Sequence, residues 1–119
     1  MSTDAGLDAL RERIRAFAAE REWDRFHSPK NLSMALAAEA GELLELFQWL
    51  TEEQSEALDP AKLAAVRLEL ADVLIYLVRL ADRLGVDLLD AAGEKMALNA
   101  EKYPAERVRG DARKYTEYD

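Results

Sequence analysis

The chain has 119 residues, a net charge of −8, one histidine and no cysteine. That length fits a single domain over 1–119, and a chain so small often gains stability by oligomerising. The composition excludes disulfides, thiol catalysis, zinc-thiolate sites and a multi-histidine centre within one subunit, and the acidic balance argues against a nucleic-acid polymer as partner.

No run alternates with period two, and Ala, Leu, Glu and Arg dominate, so the chain reads as all-α. The first helix is predicted from Asp4 to Glu22, with Leu7, Leu10, Ile14, Phe17 and Ala18 recurring at three and four. The start, MSTDAGLDAL, lacks the basic region and apolar core of a leader. A break is expected at FHSPKN, where Pro29 and Asn31 interrupt the pattern. The second helix is placed from the Lys30–Ser33 region to Leu50. The acidic stretch Thr51 to Pro60 reads as a connection with room for a short helical turn. Asp59-Pro60 is a cap followed by proline at the first helical position, opening a third helix that runs to Leu84 and stops at Gly85. Asp87 caps a fourth helix reaching Lys102, and the tail AERVRGDARKYTEYD is expected to be irregular and to wrap over another surface.

Four helices with short links predict a four-helix bundle. The third helix is apolar nearly all round, through Leu63, Val66, Leu70, Val73, Leu74, Leu77, Val78 and Leu80. Such a helix is buried on more than one side, which in a small chain predicts a homo-oligomer formed through helices. The longest apolar segment, Leu70 to Leu84, is broken by Asp72, Arg79, Asp82 and Arg83, so no membrane span is expected and a cytoplasmic protein is the default.

Two acidic pairs lie in the most apolar stretches: Glu39 with Glu42, and Glu69 with Asp72. Residues three apart share a helix face. The plainer reading is a wet stripe, formed by Glu39, Glu42 and Glu45 on one helix and by Ala65, Glu69, Asp72, Tyr76, Arg79 and Arg83 on the next. Three features favour a site instead. The segment Asn31 to Ala61 holds no Lys or Arg, so nothing in it compensates Glu39 and Glu42. Both pairs fall mid-helix, away from any help by a helix N-terminus. Trp49 lies two turns past Glu42 and Tyr76 one turn past Asp72, where a flat base can stack, although each ring alone reads more simply as core. Carboxylate-rich sites suit hard cations, Mg²⁺ first and Mn²⁺ as an alternative. On the fourth helix Lys95, Asn99 and Lys102 share a face, with Tyr103 beside them. Two cations and an amide in a row suit a phosphate chain, while a solvated face is the plainer reading.

Taken together, REWDRFHSPKNL, AGELLELFQWL, ELADVLIYLVRLADRLGVDL, KMALNAEKYP and VRGDARKYTEY resemble the MazG-like all-α nucleoside triphosphate pyrophosphohydrolases, and within them the dCTP pyrophosphatases. The likeness runs from about Phe17 to the end. It implies a helical bundle assembled as a dimer or as a tetramer built from dimers. It implies Mg²⁺-dependent hydrolysis of a nucleoside triphosphate, dCTP or a modified relative, to the monophosphate and pyrophosphate, as house-cleaning of the nucleotide pool. By position it assigns Glu39, Glu42, Glu69 and Asp72 to the metal, with Glu39 or Glu42 acting on the attacking water. Lys95, Asn99, Lys102 and Tyr103 fall on the phosphates, and Trp23, His27, Trp49 and Tyr76 on the base and sugar pocket. A histidine that some relatives carry in the first helix is replaced near Ile14. A same-fold hydrolase for dUTP or phosphoribosyl-ATP is the nearest alternative, and a non-enzymatic helical dimerisation module is the alternative from another class. Prenyl diphosphate chemistry needs a larger helical cavity than this chain can enclose.

Overall fold

A computed structural model describes residues 3–112 and residue 116. It contains α1 (Thr3–Glu20), a 3-10 turn (Asp24–Phe26), α2 (Pro29–Glu45), α3 (Glu52–Ser55), α4 (Pro60–Leu84), α5 (Leu88–Lys102) and α6 (Ala105–Val108). The all-α expectation holds, with no strand among the described residues.

The helix ends follow from local chemistry. After α1 the Trp23 N–H reaches Ala18 O at 2.9 Å and the Glu22 N–H reaches Ala19 O at 3.0 Å. Glu22 sits between them in the left-handed region with φ 54, so the chain reverses sharply and Trp23 begins the 3-10 turn. The same closure ends α4: Val86 N–H bonds Ala81 O at 2.9 Å around Gly85, whose φ is 68. There a glycine meets the left-handed requirement without a side-chain clash.

Two sequence boundaries are corrected. Pro29 does not break α2 but opens it, because Ser28 caps the helix by accepting from the Asn31 N–H and the fixed φ of proline suits the first position. The helix also stops at Glu45 rather than Leu50. Beyond it the backbone tightens into turns, with Phe47 and Gln48 N–H both directed to Leu44 O, and Lys62 Nζ donates to Leu46 O at 3.3 Å. The short turn in the connection is α3, held by a reciprocal capping box between Thr51 and Gln54. Asp59 and Asp87 cap α4 and α5 as expected. The tail, expected to be irregular, contains α6; residues 113–115 and 117–119 lie outside the described residues.

The chain divides into two compact units, Met1–Val86 and Asp87–Asp119. In the first, α2 packs along α4 and α1 packs against α4 as well. Their seams bury Ala18, Leu32, Val66, Val78 and Ala81, with Leu32 only 1% exposed. Arg15 on α1 ties to α4 through a two-pronged contact with Asp82, Nε at 3.1 Å from one oxygen and Nη2 on the other. As expected, α4 is packed on more than one side, against α1 and α2, but part of its apolar surface stays uncovered within one chain. Leu63, Leu70 and Leu74 share one side of α4 and remain substantially exposed, an apolar face for a monomer to leave in water, while Leu68 is exposed on another side.

Glu22 is the one non-glycine residue with positive φ among the described residues. Glu22→Gly is expected to relieve the left-handed penalty by more than its added chain entropy costs, a net gain of about 0.5–1 kcal/mol. Urea unfolding checks this, and a lower midpoint would contradict it.

Candidate metal and active site

Glu39 lies inside α2 and Glu69 and Asp72 inside α4, where the two helices pack. One carboxylate oxygen from each of the three lies within 4.8 Å of the others. All three residues are half-buried rather than solvated. Glu39 Oε2 and Glu69 Oε2 are buried without a hydrogen-bond partner. Buried polar atoms are rarely left so, and an orphaned carboxylate oxygen has lost water without gaining a donor. The wet-stripe reading of α4 therefore fails: Ala65, Glu69, Asp72 and Tyr76 are half-buried, Arg79 is buried, and Arg83 alone of that stripe is exposed.

The electrostatics agree. Glu39 is pushed up from 4.5 to about 7, first by burial, then by proton-sharing contacts with Glu42 and Glu69, then by the charges of Glu42 and Asp72. A contact between two carboxylates is a hydrogen bond only when a proton sits between them. With both groups ionised the oxygens face each other without a donor. Glu42 lies outside the group of three and is exposed, yet it stands close enough to Glu39 to hold back its ionisation. The residues present fit a divalent cation, whose charge would replace the missing donors.

The sequence-assigned aromatic residues differ in setting. Trp23 and His27 flank the 3-10 turn and meet edge to face at 6.2 Å, with Phe17 of α1 against Trp23 at 5.7 Å. Tyr76 lies on α4 one turn past Asp72 and is half-buried. Trp49 is 86% exposed, so the core-packing alternative for it is overturned. The residue missed by sequence reasoning is Arg79, taken there as part of a solvated stripe and in fact 4% exposed. It donates from Nε to His27 Nδ1 at 3.1 Å and from Nη2 to Asp24, and lies 3.6 Å from Asp82. A signal was available: Arg79 follows Leu70 to Val78 in an apolar run, with Asp24 and His27 free in a loop to meet it.

The second unit carries the proposed phosphate residues. Lys95, Asn99 and Lys102 recur on one face of α5, and the Tyr103 N–H caps the helix end on Asn99 O at 2.8 Å. Lys95 is exposed and Asn99 half-buried. In the first unit, an open groove of about 880 Å³ runs between α1 and α4, with Leu10, Ile14, Phe17, Ala71 and Ile75 among its lining residues. Ile14 lines this groove.

The MazG-like family profile matches residues 34–118. The chain is 48% identical over 118 residues to dCTP pyrophosphatase 1 of Homo sapiens, an alignment covering 98% of this chain and 69% of that protein. It is 49% identical to dCTP pyrophosphatase 1 of Mus musculus, with the same two coverages. Among solved structures, a pyrophosphatase from Archaeoglobus fulgidus is similar with a TM-score of 0.79 and 36% identity, over 83% of this chain and 93% of that one.

The raised Glu39 value carries a linkage of definite sign. Its contribution to metal-free stability is fully present below pH 4.5 and is lost as the pH rises to about 7. In EDTA the melting temperature should fall across that window, and Glu39→Gln should flatten the fall. Divalent metal should raise the melting temperature above pH 7 in the wild type and not in the variant. A melting profile indifferent to both pH and metal would remove the site.

Proposed function

The chain belongs to the MazG-like family, and from that premise we propose that it hydrolyses dCTP to dCMP and pyrophosphate. The observation that carries this reading beyond likeness is the pair of orphaned carboxylate oxygens where α2 meets α4. A hydrolase acting on a phosphoric anhydride must neutralise a polyanion, and this chain does so with anionic side chains only if a cation stands between.

In this reading Glu39, Glu69 and Asp72 hold the cation with Glu42, and Mg²⁺ is the metal proposed, with Mn²⁺ able to replace it. When bound, the metal supplies charge stabilisation for the triphosphate and its leaving pyrophosphate. Glu42, exposed beside Glu39, is free to orient the attacking water, and Glu39 is the second candidate because its affinity for a proton is raised. Lys95, Asn99, Lys102 and Tyr103 are assigned to the phosphates. Trp23, His27, Trp49 and Tyr76 are assigned to the base and sugar, by stacking and by donors on the ring edges. We take residues 1–119 as one functional domain, acting on the nucleotide pool of the cytoplasm and clearing dCTP or its modified relatives. No helix among the described residues is long and apolar enough to cross a membrane.

The uncovered face of α4 supports a homo-oligomer, a dimer or a tetramer built from dimers, in which Leu63, Leu70 and Leu74 lose contact with water. Light scattering should give a mass that is a multiple of one chain. Leu70→Glu should lower that mass, and a monomeric wild type would contradict the assignment.

Pyrophosphate release from a nucleotide panel tests the activity. Release from dCTP or 5-substituted dCTP should require Mg²⁺ and stop in EDTA. Release from dUTP or phosphoribosyl-ATP alone would move the substrate, and no release from any nucleotide would favour a non-enzymatic module. Glu42→Gln should fold with the wild-type helical spectrum and lose nearly all turnover, on the order of 10²-fold or more. Wild-type rates in that variant would displace Glu42 from the chemistry.

A further inference from the structure

Arg79 is a buried charge whose partners all come from elsewhere in the first unit or from its own helix. Its guanidinium donates to His27 Nδ1 and to Asp24 and stands near Asp82, which also holds Arg15. A buried ion pair is seldom the most stabilising solution, and an apolar side chain would fill the same seam. What an apolar side chain would not do is act on the imidazole. Guanidinium has five N–H donors and no acceptor, so the ring nitrogen facing it must offer a lone pair. A neutral imidazole that accepts at Nδ1 carries its proton at Nε2.

We propose that Arg79 is a positioning residue for nucleotide recognition: from within α4 it clamps the 23–27 turn and fixes His27 as the tautomer that donates through Nε2. The recognition half of this inference rests on the reading of the chain as a dCTP hydrolase with His27 on the base and sugar side. The clamp itself rests on geometry alone. The donating imidazole packs edge to face with Trp23 at 6.2 Å between ring centres, and its Nε2–H suits an acceptor atom of the nucleotide. Protonating His27 would set an N–H against the Arg79 N–H. Burial and Arg79, in that order, hold the imidazole below its ordinary value, with Arg83 acting in the same sense and the Asp24 carboxylate opposing them. The donor therefore persists into mildly acidic solution.

The sequence makes the test direct, because His27 is the chain's single histidine. In ¹⁵N-labelled full-length protein, the imidazole gives one set of nitrogen signals. The wild type should show the Nε2–H tautomer and titrate below 6.5, the ordinary value. Arg79→Met should mix the tautomers, move the titration upward and raise KM for dCTP about tenfold, as for one lost hydrogen bond. Its kcat should change by less than about threefold, the pattern of lost ground-state binding. Arg79→Lys should recover part of KM but not the single tautomer, since ammonium keeps the charge and loses the fork. Asp24→Asn, at an exposed partner of the clamp, should shift the same signals less, and it keeps the test open if Arg79→Met does not fold. An Nδ1–H tautomer in the wild type, or a KM unmoved in variants whose His27 signals have changed, would overturn the proposal. A wild type that releases no pyrophosphate from dCTP would instead bring down the hydrolase reading and the recognition half with it, while the spectrum would still decide the clamp.

Discussion

Like charge forced together at the packing of α2 against α4 is the constraint around which the first unit is arranged. Two ionised carboxylates near a protein surface repel by roughly 4 kcal/mol at 4 Å separation. Glu39, Glu69 and Asp72 are held at comparable range by backbone that neither helix can easily move, because the same packing buries Leu32 and Val66. The fold therefore stores unfavourable energy at one place, and two of the carboxylate oxygens there are buried without a hydrogen-bond partner. The nearest Lys after the cation-free segment, Lys62, is spent on the carbonyl of Leu46. A divalent ion at this place would relieve several repulsions at once.

Helix α4 carries nearly every feature of the first unit on different sides. Glu69 and Asp72 face α2. Ala71 and Ile75 line the groove beside α1, and Asp82 anchors Arg15. Arg79 reaches the 23–27 turn. Leu70 and Leu74 are left uncovered. A helix used on so many sides must be long and firmly ended, which its Asp59 cap and its Gly85 closure provide. Changes at its ends should therefore reach the carboxylates, the turn and the apolar face together.

Much of this was legible in the sequence, and for definite reasons. The 3.6-residue period placed α1, α4 and α5, and the cap residues Asp59, Asp87 and Gly85 marked their ends. Glu39, Glu69 and Asp72 were visible because uncompensated charge in an apolar run is costly enough to need a cause. The misread parts were those where local signals compete. Pro29 reads equally as a breaker and as a first helical residue, and only the Ser28 cap decides it. Past the early end of α2, the Leu46 carbonyl is met by Lys62, a residue from another element that local pattern does not reveal. Arg79 was taken as solvated because spacing alone cannot distinguish a wet stripe from one covered by a loop. Its burial is set by Asp24 and His27, 55 and 52 positions away.

Arg79 and the carboxylates also show how two buried charges on one helix acquire opposite meanings. Arg79 and Glu69 appeared in the sequence as members of one stripe of α4, and Glu39 meets that helix from α2. Arg79 found Asp24, His27 and Asp82 within the chain, and a charge whose partners are internal is a structural joint. Glu39 stands beside Glu42, Glu69 and Asp72, and among the described residues one oxygen each of Glu39 and Glu69 is buried without a donor. Internal partners fix a residue in place whether or not a ligand arrives. A charge without them is stabilised only when one does, and that dependence is what a binding site requires. The joint and the site share one rigid helix, with Arg79 two turns past Asp72. The turn bearing Trp23 and His27 is thus referenced to the same rod that carries Glu69 and Asp72.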